Sequence, residues 1–286
     1  QAVPQSALGA IYRTRRAVVV GDPLQVEPVV TIPKVLIDIL ADSTCVANEY
    51  KVIENSAQTF ADNINEFNGM IGERQVGCPL VVHRRCIEPM FSISNLISYD
   101  NRMFNKTNKK EEYLKPENPF LIKKSGWINV EGVENGGKDH FVKNQAERVC
   151  QLMEDAVHIY SDLFETDDKI FIITPFRTVA ESMRKFVISH FSVKGYDKEI
   201  LSKWTKNCVG TVHTFQGKDA NEVLLVLGCS NKSVGAMNWV VKKANILNVA
   251  CTRAKYRIAF IGNINDWKNR RYFREFIPNL IDIINV

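Results

Sequence analysis

No apolar run among the 286 residues approaches the roughly 18 that a membrane-crossing helix needs. The longest, such as Val223 to Leu227, have the length of a core strand, so a transmembrane role is excluded. The seven cysteines, at 45, 78, 86, 150, 208, 229 and 251, contain no C-x-x-C pair, so neither a zinc knuckle nor a dithiol redox motif is signalled. Their odd number suits reduced thiols in a cytoplasm. No G-x-x-x-x-G-K-[ST] occurs, hence no phosphate-cradling loop with its own lysine. Repeats of 20 to 50 residues and low-complexity tracts are also missing. The first residue is Gln1, not Met, and Ala2 to Ala10 lacks the order of a secretory signal; the chain is expected to be a fragment of a longer protein.

What is present is an ordinary globular composition, 45% hydrophobic and 24% charged, with length for one large or two medium domains. Lysine and arginine total 37 against 32 acidic residues, a formal charge of +5. The surplus gathers in clusters such as Arg13/Arg15/Arg16, Lys106/Lys109/Lys110 and Lys268/Arg270/Arg271/Arg274, which tolerate an anionic partner without demanding one.

Arg16 to Val20 has the form of a buried strand that stops at Gly21-Asp22-Pro23, and Ile32 to Leu40, opened by Pro33, reads as a helix. The pattern weakens from Ala41 to Val76, which places a domain hinge near residue 70. Leu80 to Val82 reads as a strand, His83-Arg84-Arg85 as a basic patch and Ile87 to Ser98 as an amphipathic helix; Tyr99 to Lys124 is polar and reads as a surface excursion. Strand-then-helix units follow: Trp127 to Val130 with Asn144 to Phe164, and Lys169 to Ile173 with Thr178 to Phe191. Cys208 to Val212 then leads to a strand at Glu222 to Leu227, and a helix at Lys242 to Arg253 feeds a last strand, Arg257 to Ile261. This alternation implies an α/β fold, a parallel sheet covered by helices on both faces.

Ligands of such sheets are expected at the carboxyl ends of the strands, and five polar places there stand out. Gly21-Asp22-Pro23-Leu24-Gln25 joins a tight turn to an amide able to meet a phosphate or a water; a plain turn is the competing reading. Arg84 and Arg85 offer guanidiniums for phosphate oxygens, although most surface arginines hold none. Thr174-Pro175-Phe176-Arg177 offers a hydroxyl and a ring, the ring being more often a core group. Thr211 to Asp219 gathers Thr211, His213, Gln216 and Asp219 within nine residues, with Gly217 permitting close backbone approach. In Asn248 to Lys255, Arg253 either caps helix carbonyls or projects into a cleft as an arginine finger.

Taken in order, these five stretches resemble the second half of a superfamily 1 helicase of the nonsense-mediated-decay helicase type. Gly21-Asp22-Pro23-Leu24-Gln25 is similar to motif III, His83-Arg84-Arg85 to the arginine motif that opens the second RecA-like domain, and Ile173-Thr174-Pro175-Phe176 to its nucleic-acid-contacting motif. Thr211 to Asp219 is similar to motif V and Leu247 to Lys255 to motif VI. The resemblance implies a RecA-like P-loop NTPase fold, with residues 1–70 a remnant of the first RecA-like domain and the hinge, and 71–286 a complete second domain. It implies that Gln25 senses the γ-phosphate of ATP from the first domain while Arg84, in preference to Arg85, and Arg253 reach it from the second. Gly21, Asp22, Gly217 and Asp219 would lie near the nucleotide; the family more often has Glu where Asp219 stands. Thr174, Pro175, Thr211 and His213 would contact single-stranded nucleic acid, DNA or RNA. ATP and Mg²⁺ are the implied cofactors, with the P-loop and the Mg²⁺-binding carboxylates expected upstream of Gln1, whose Gln1-Ala2 resembles the tail of that motif. No metal site and no membrane partner is expected within the chain itself. The implied activity is ATP-driven movement along a single strand, with this chain inactive alone. The rivals are a nucleic-acid-binding or scaffold module without ATPase and, more remotely, a nucleotide kinase or other P-loop enzyme, which would not explain Thr211 to Asp219.

Overall fold

The computed structural model describes residues 2–25, 27–28, 30–51, 55–72, 74–107 and 120–284. In chain order, α1 (Pro4–Tyr12), α2 (Lys34–Ser43) and α3 (Ala57–Ile64) come first. An antiparallel ribbon, β1 (Gly69–Ile71) with β2 (Arg74–Val76), follows, then a short parallel pair, β3 (Val82–His83) with β4 (Phe104–Asn105), on either side of α4 (Met90–Ser98). Next come β5 (Gly126–Asn129), the hairpin β6 (Glu134–Gly136) and β7 (Asp139–Val142), α5 (Lys143–Ile159), β8 (Ile170–Thr174), α6 (Arg177–Val193), α7 (Lys198–Cys208) and β9 (Val209–Thr211). The chain finishes with β10 (Ala220–Val226), α8 (Val234–Val240), α9 (Asn245–Arg253), β11 (Ala254–Gly262), α10 (Ile264–Trp267), α11 (Phe273–Leu280) and β12 (Asp282–Ile283).

Six strands form one sheet in the order β12-β5-β11-β10-β8-β9, every neighbouring pair parallel. The sequence explains why. Ile170 to Thr174 is buried at every position, and Val223 to Val226 likewise, as strands covered on both faces must be. Helix α6 turns Val179, Ala180, Met183, Val187 and Phe191 to the core, a single stripe at helical spacing. Helices α5, α6 and α7 gather beside β8 and β9, while α4, α9 and α11 gather beside β10 and β11. The α/β, RecA-like architecture with helices on both faces is the fold observed.

Several expectations are corrected. Arg16 to Val20 forms no strand, and Val18 and Val20 are 90% and 81% exposed. A strand needs a neighbour to complete its hydrogen bonds, and no described strand lies alongside this run. The strand expected at Leu80 to Val82 shrinks to Val82–His83. The surface excursion of Tyr99 to Lys124 lies partly outside the described residues, at 108–119, but its end is not on the surface. Phe120, Leu121 and Ile122 are buried, because the Glu222 carboxylate accepts the backbone N–H groups of Leu121 (2.9 Å) and Ile122 (2.6 Å). Helix α7, capped by Asp197 accepting from the Glu199 and Ile200 amides, and the hairpin β6–β7 lie in stretches expected to be connections. Arg257 to Ile261 belongs to β11 but is not the last strand, since β12 adds to the edge beside β5.

Candidate functional site

At the amino-terminal edge of the sheet, Ala220 of β10 and Ala254 of β11 are paired, which sets the residues just before them, Asp219 and Arg253, side by side. Arg253 ends α9, whose residues Leu247 to Arg253 are all buried, and its guanidinium is fully enclosed. It donates to neutral acceptors: the carbonyls of Lys218 (2.9 Å), Phe215 (3.2 Å) and Val249 (3.3 Å), the Thr252 hydroxyl (3.3 Å), and the Gln25 side-chain oxygen at 3.5 Å. Among the described residues no carboxylate lies within ion-pair distance of it. Asp219 is turned to Lys255 (2.7 Å) and Arg85 (4.0 Å) instead. Burial, reinforced by the positive charge of Arg85, lowers the Arg253 pKa to about 10. Arg85 is thus the arginine beside Asp219 and Arg253; Arg84 is exposed and makes no side-chain hydrogen bond or ion pair with the described residues.

The loop at Gly21 to Gln25 closes over this group. Asp22 shapes it by accepting from the Leu24 amide (2.9 Å) and the Gln25 side-chain amide (2.8 Å), an Asx-type turn that holds Gln25 toward Arg253. The loop docks on the helices below it. Asn248 of α9, fully buried, donates to the Leu24 carbonyl (2.8 Å) and to Tyr99 Oη (3.1 Å) while accepting from Ser94 Oγ (2.5 Å). Asn245 donates to the Gln25 carbonyl, and Tyr99 donates to the second Asp22 oxygen. Burial, with the Asp22 charge beside it, pushes the Tyr99 pKa up, so the phenol stays a donor. Gly21, Asp22 and Gln25 line a cavity of about 280 Å³ with Gln58, Arg74 and Gln216. At Gly21 any Cβ would come within 2.9 Å of Gln58 Oε1, which is buried without a hydrogen-bond partner among the described residues.

The other edge carries a different set. Thr174 and Thr211 are paired across β8 and β9 at the carboxyl ends of those strands. Thr174 is buried, its hydroxyl accepting a long bond from the Phe176 amide (3.4 Å) past Pro175. His213 is exposed two residues beyond Thr211, and loss of hydration keeps its imidazole below the usual basicity. Gly217 adopts φ +82° in the turn that returns the chain to Asp219, a conformation that favours glycine. Asp219 and Arg253 therefore precede their strands, which corrects the expectation that every polar stretch would lie at carboxyl ends.

Tyr99, Asn245 and Lys255 were not legible as site residues. Asn248 had one signal, an amide inside the apolar helical run Leu247 to Cys251, where a polar group must be satisfied from outside the helix. A group with metal-ligand chemistry also exists: Glu134, His140 and Cys229 place ligand atoms within 4.8 Å of one another. Glu134 is already served by His140 Nδ1 (2.7 Å) and Ser230 Oγ (3.0 Å), and against the effect of burial these hydrogen bonds hold its pKa low without an ion.

Curated relatives share parts of this chain. A region of 154 residues, 53% of the chain, is 29% identical to an uncharacterized ATP-dependent helicase of Methanocaldococcus jannaschii. Over 94% of the chain, identity is 23% to the probable helicase senataxin of Homo sapiens and 22% to that of Mus musculus. The chain spans only 20% of the archaeal protein and 9% of either senataxin. Residues 66–265, most of the chain and including both sheet edges, match the AAA domain family AAA_12, and the chain belongs to that family.

Proposed function

We propose that this chain is the C-terminal part of an ATP-dependent superfamily 1 helicase or translocase of the nonsense-mediated-decay type, acting on single-stranded DNA or RNA in the cytoplasm. Residues 1–70 would belong to the first RecA-like domain and 71–286 form the second, with the hinge near residue 70. One observation carries the reading: Arg253, a buried guanidinium with no carboxylate at ion-pair distance among the described residues, lies beside a second arginine and under the Gln25 amide. A buried cation with no direct ion pair is costly even with Asp219 nearby, and an anion entering between Gln25 and Arg253 would relieve it. The helicase names of the relatives supply the class of reaction.

In this reading Gln25 positions the terminal phosphate or its attacking water, Arg253 neutralises charge that develops on the phosphoryl oxygens, and an arginine of the Arg84-Arg85 pair shares that work. Gly21, Asp22, Gly217 and Asp219 shape the walls. Asp219 is paired with Lys255 and Arg85, so these residues suit an anion and not Mg²⁺. Gln25 covers Arg253, so the loop must lift for a nucleotide to enter, and that opening and closing would shift the strand grip at Thr174, Pro175, Thr211 and His213. The test is ATP turnover by the natural protein that carries this chain, with and without a single-stranded oligonucleotide. Turnover stimulated by the strand is expected; absence of turnover would favour the ATPase-lacking scaffold instead.

A further inference from the structure

The carboxyl edge of the sheet continues past the two threonines. In the order β9-β8-β10-β11, the chain leaving each strand contributes in turn His213, Phe176, Trp239 and the segment Asn269 to Arg271. Trp239 is 51% exposed, whereas Trp127, Trp204 and Trp267 are buried to within 1%. Its ring leans on Phe176, centroids 5.8 Å apart at 37°, and about half of the residue's surface is open. Two depressions meet at this ring. A shallow groove of about 720 Å³ runs along Asn238, Trp239, Lys242, Arg270 and Arg271, and a cleft of about 270 Å³ shares Trp239 and Lys242 and holds His213 and Lys243.

The charges along this path fall into two kinds. Arg270 is held in place by Asn238 Oδ1 (2.6 Å) and the Asp266 carbonyl (2.9 Å), and Lys243 is paired with Glu27. Lys242 is exposed and makes no side-chain hydrogen bond or ion pair with the described residues. An open indole with one supported face and cations on its flanks suits a ligand of alternating flat rings and anions. That is a single strand of nucleic acid, because a base inside a duplex has no free face to offer.

We infer that Trp239 is a base-stacking platform, with Lys242 and Arg271 as its phosphate contacts, extending the strand path from Thr211 and His213 across β8 and β10 toward β11. The inference rests on the proposed strand-binding role of the carboxyl edge. It adds a subsite that no motif of the sequence covers, and it makes recognition tolerant of base identity.

Tryptophan emission reads it, since Trp239 is the exposed one of this chain's four tryptophans and Trp239→Phe subtracts the emission of all others. The natural protein is titrated with homopolymeric single-stranded oligonucleotides and with an abasic strand of equal length, alongside Trp239→Ala, Trp239→Phe and Thr211→Ala. Binding should quench emission in the wild type; Trp239→Phe should bind without the quench. Trp239→Ala should bind roughly 5- to 150-fold more weakly, the range of a lost base stack. The abasic strand should show a similar loss with wild type and none beyond it with Trp239→Ala. Unchanged affinity and no quench, with Thr211→Ala still weakening the strand, would overturn the platform, assign the ring to a protein contact and leave the strand edge standing. A wild type that binds no strand would overturn both.

Discussion

Arg253 is the buried charged residue on which the proposed chemistry rests. Its five donors are spent on neutral oxygens, which satisfy hydrogen bonding without an ion pair; Asp219 offsets part of the charge from nearby, and Arg85 adds a like charge. A site arranged in this way favours an anion before any ligand is considered. Arg85, which reaches Asp219, is half-buried, while its neighbour Arg84 is exposed. In the natural protein Arg85→Ala should therefore reduce ATP turnover about 10²-fold or more, the scale of one lost transition-state donor, and Arg84→Ala at least tenfold less. Parallel assays of the two variants decide it; a larger effect of Arg84→Ala would return the phosphate role to that residue. Two adjacent arginines are legible in the sequence, but which one turns inward is not. The direction depends on the turn in which the Cys86 amide donates to His83 Nε2 (2.9 Å), a contact that motif spacing does not encode.

At the scale of elements, the strands that burial on both faces makes continuously apolar were legible: β5, β8, β10 and β11 fall on the runs that suggested them. Helix α7 was missed because its apolar stripe, Leu201, Trp204 and Cys208, is diluted by lysines. The register that joins Asp219 to Arg253 was missed because pairing is a property of two strands and not of either sequence. The strap at Phe120 to Ile122 shows the same limit, since its anchor, Glu222, lies about a hundred residues away. Burial raises the Glu222 pKa to about 7, against the hydrogen bonds from Ile122, Tyr160 and Leu121 and the charge of Arg257. The folded protein thus holds this proton more tightly than the unfolded chain, so the contribution of Glu222 to stability falls as pH rises from about 4.5 to 7 and is level above. Relative to Glu222→Gln, the unfolding free energy of the wild type should decline by about 3 kcal/mol between pH 4.5 and pH 7.5. Denaturant unfolding of both proteins across that range checks it, and a pH-independent difference would show that Glu222 stays charged in the fold.

The whole molecule carries two groups of polar residues at opposite edges of its sheet. Arg253, Arg85 and Asp219 gather at the amino ends of β10 and β11, and Thr174, Thr211 and His213 at the carboxyl ends of β8 and β9. The loop bearing Gln25 is bound to α9 through Asn245 and Asn248, so movement of that loop bears on the helix that ends in Arg253 and leads directly into β11. The order of motifs along the chain made the class of protein legible, but their separation onto two edges required the sheet. If the amino edge serves phosphate chemistry and the carboxyl edge the strand, one substitution must separate the two activities. The most direct measurement is the turnover number and strand affinity of Arg253→Ala in the natural protein at saturating single-stranded oligonucleotide, with thermal unfolding as the folding control. Turnover should fall about 10³-fold or more while the strand Kd stays within about twofold. Turnover within tenfold of wild type in a folded variant, or a loss of strand affinity matching the loss of turnover, would contradict the division.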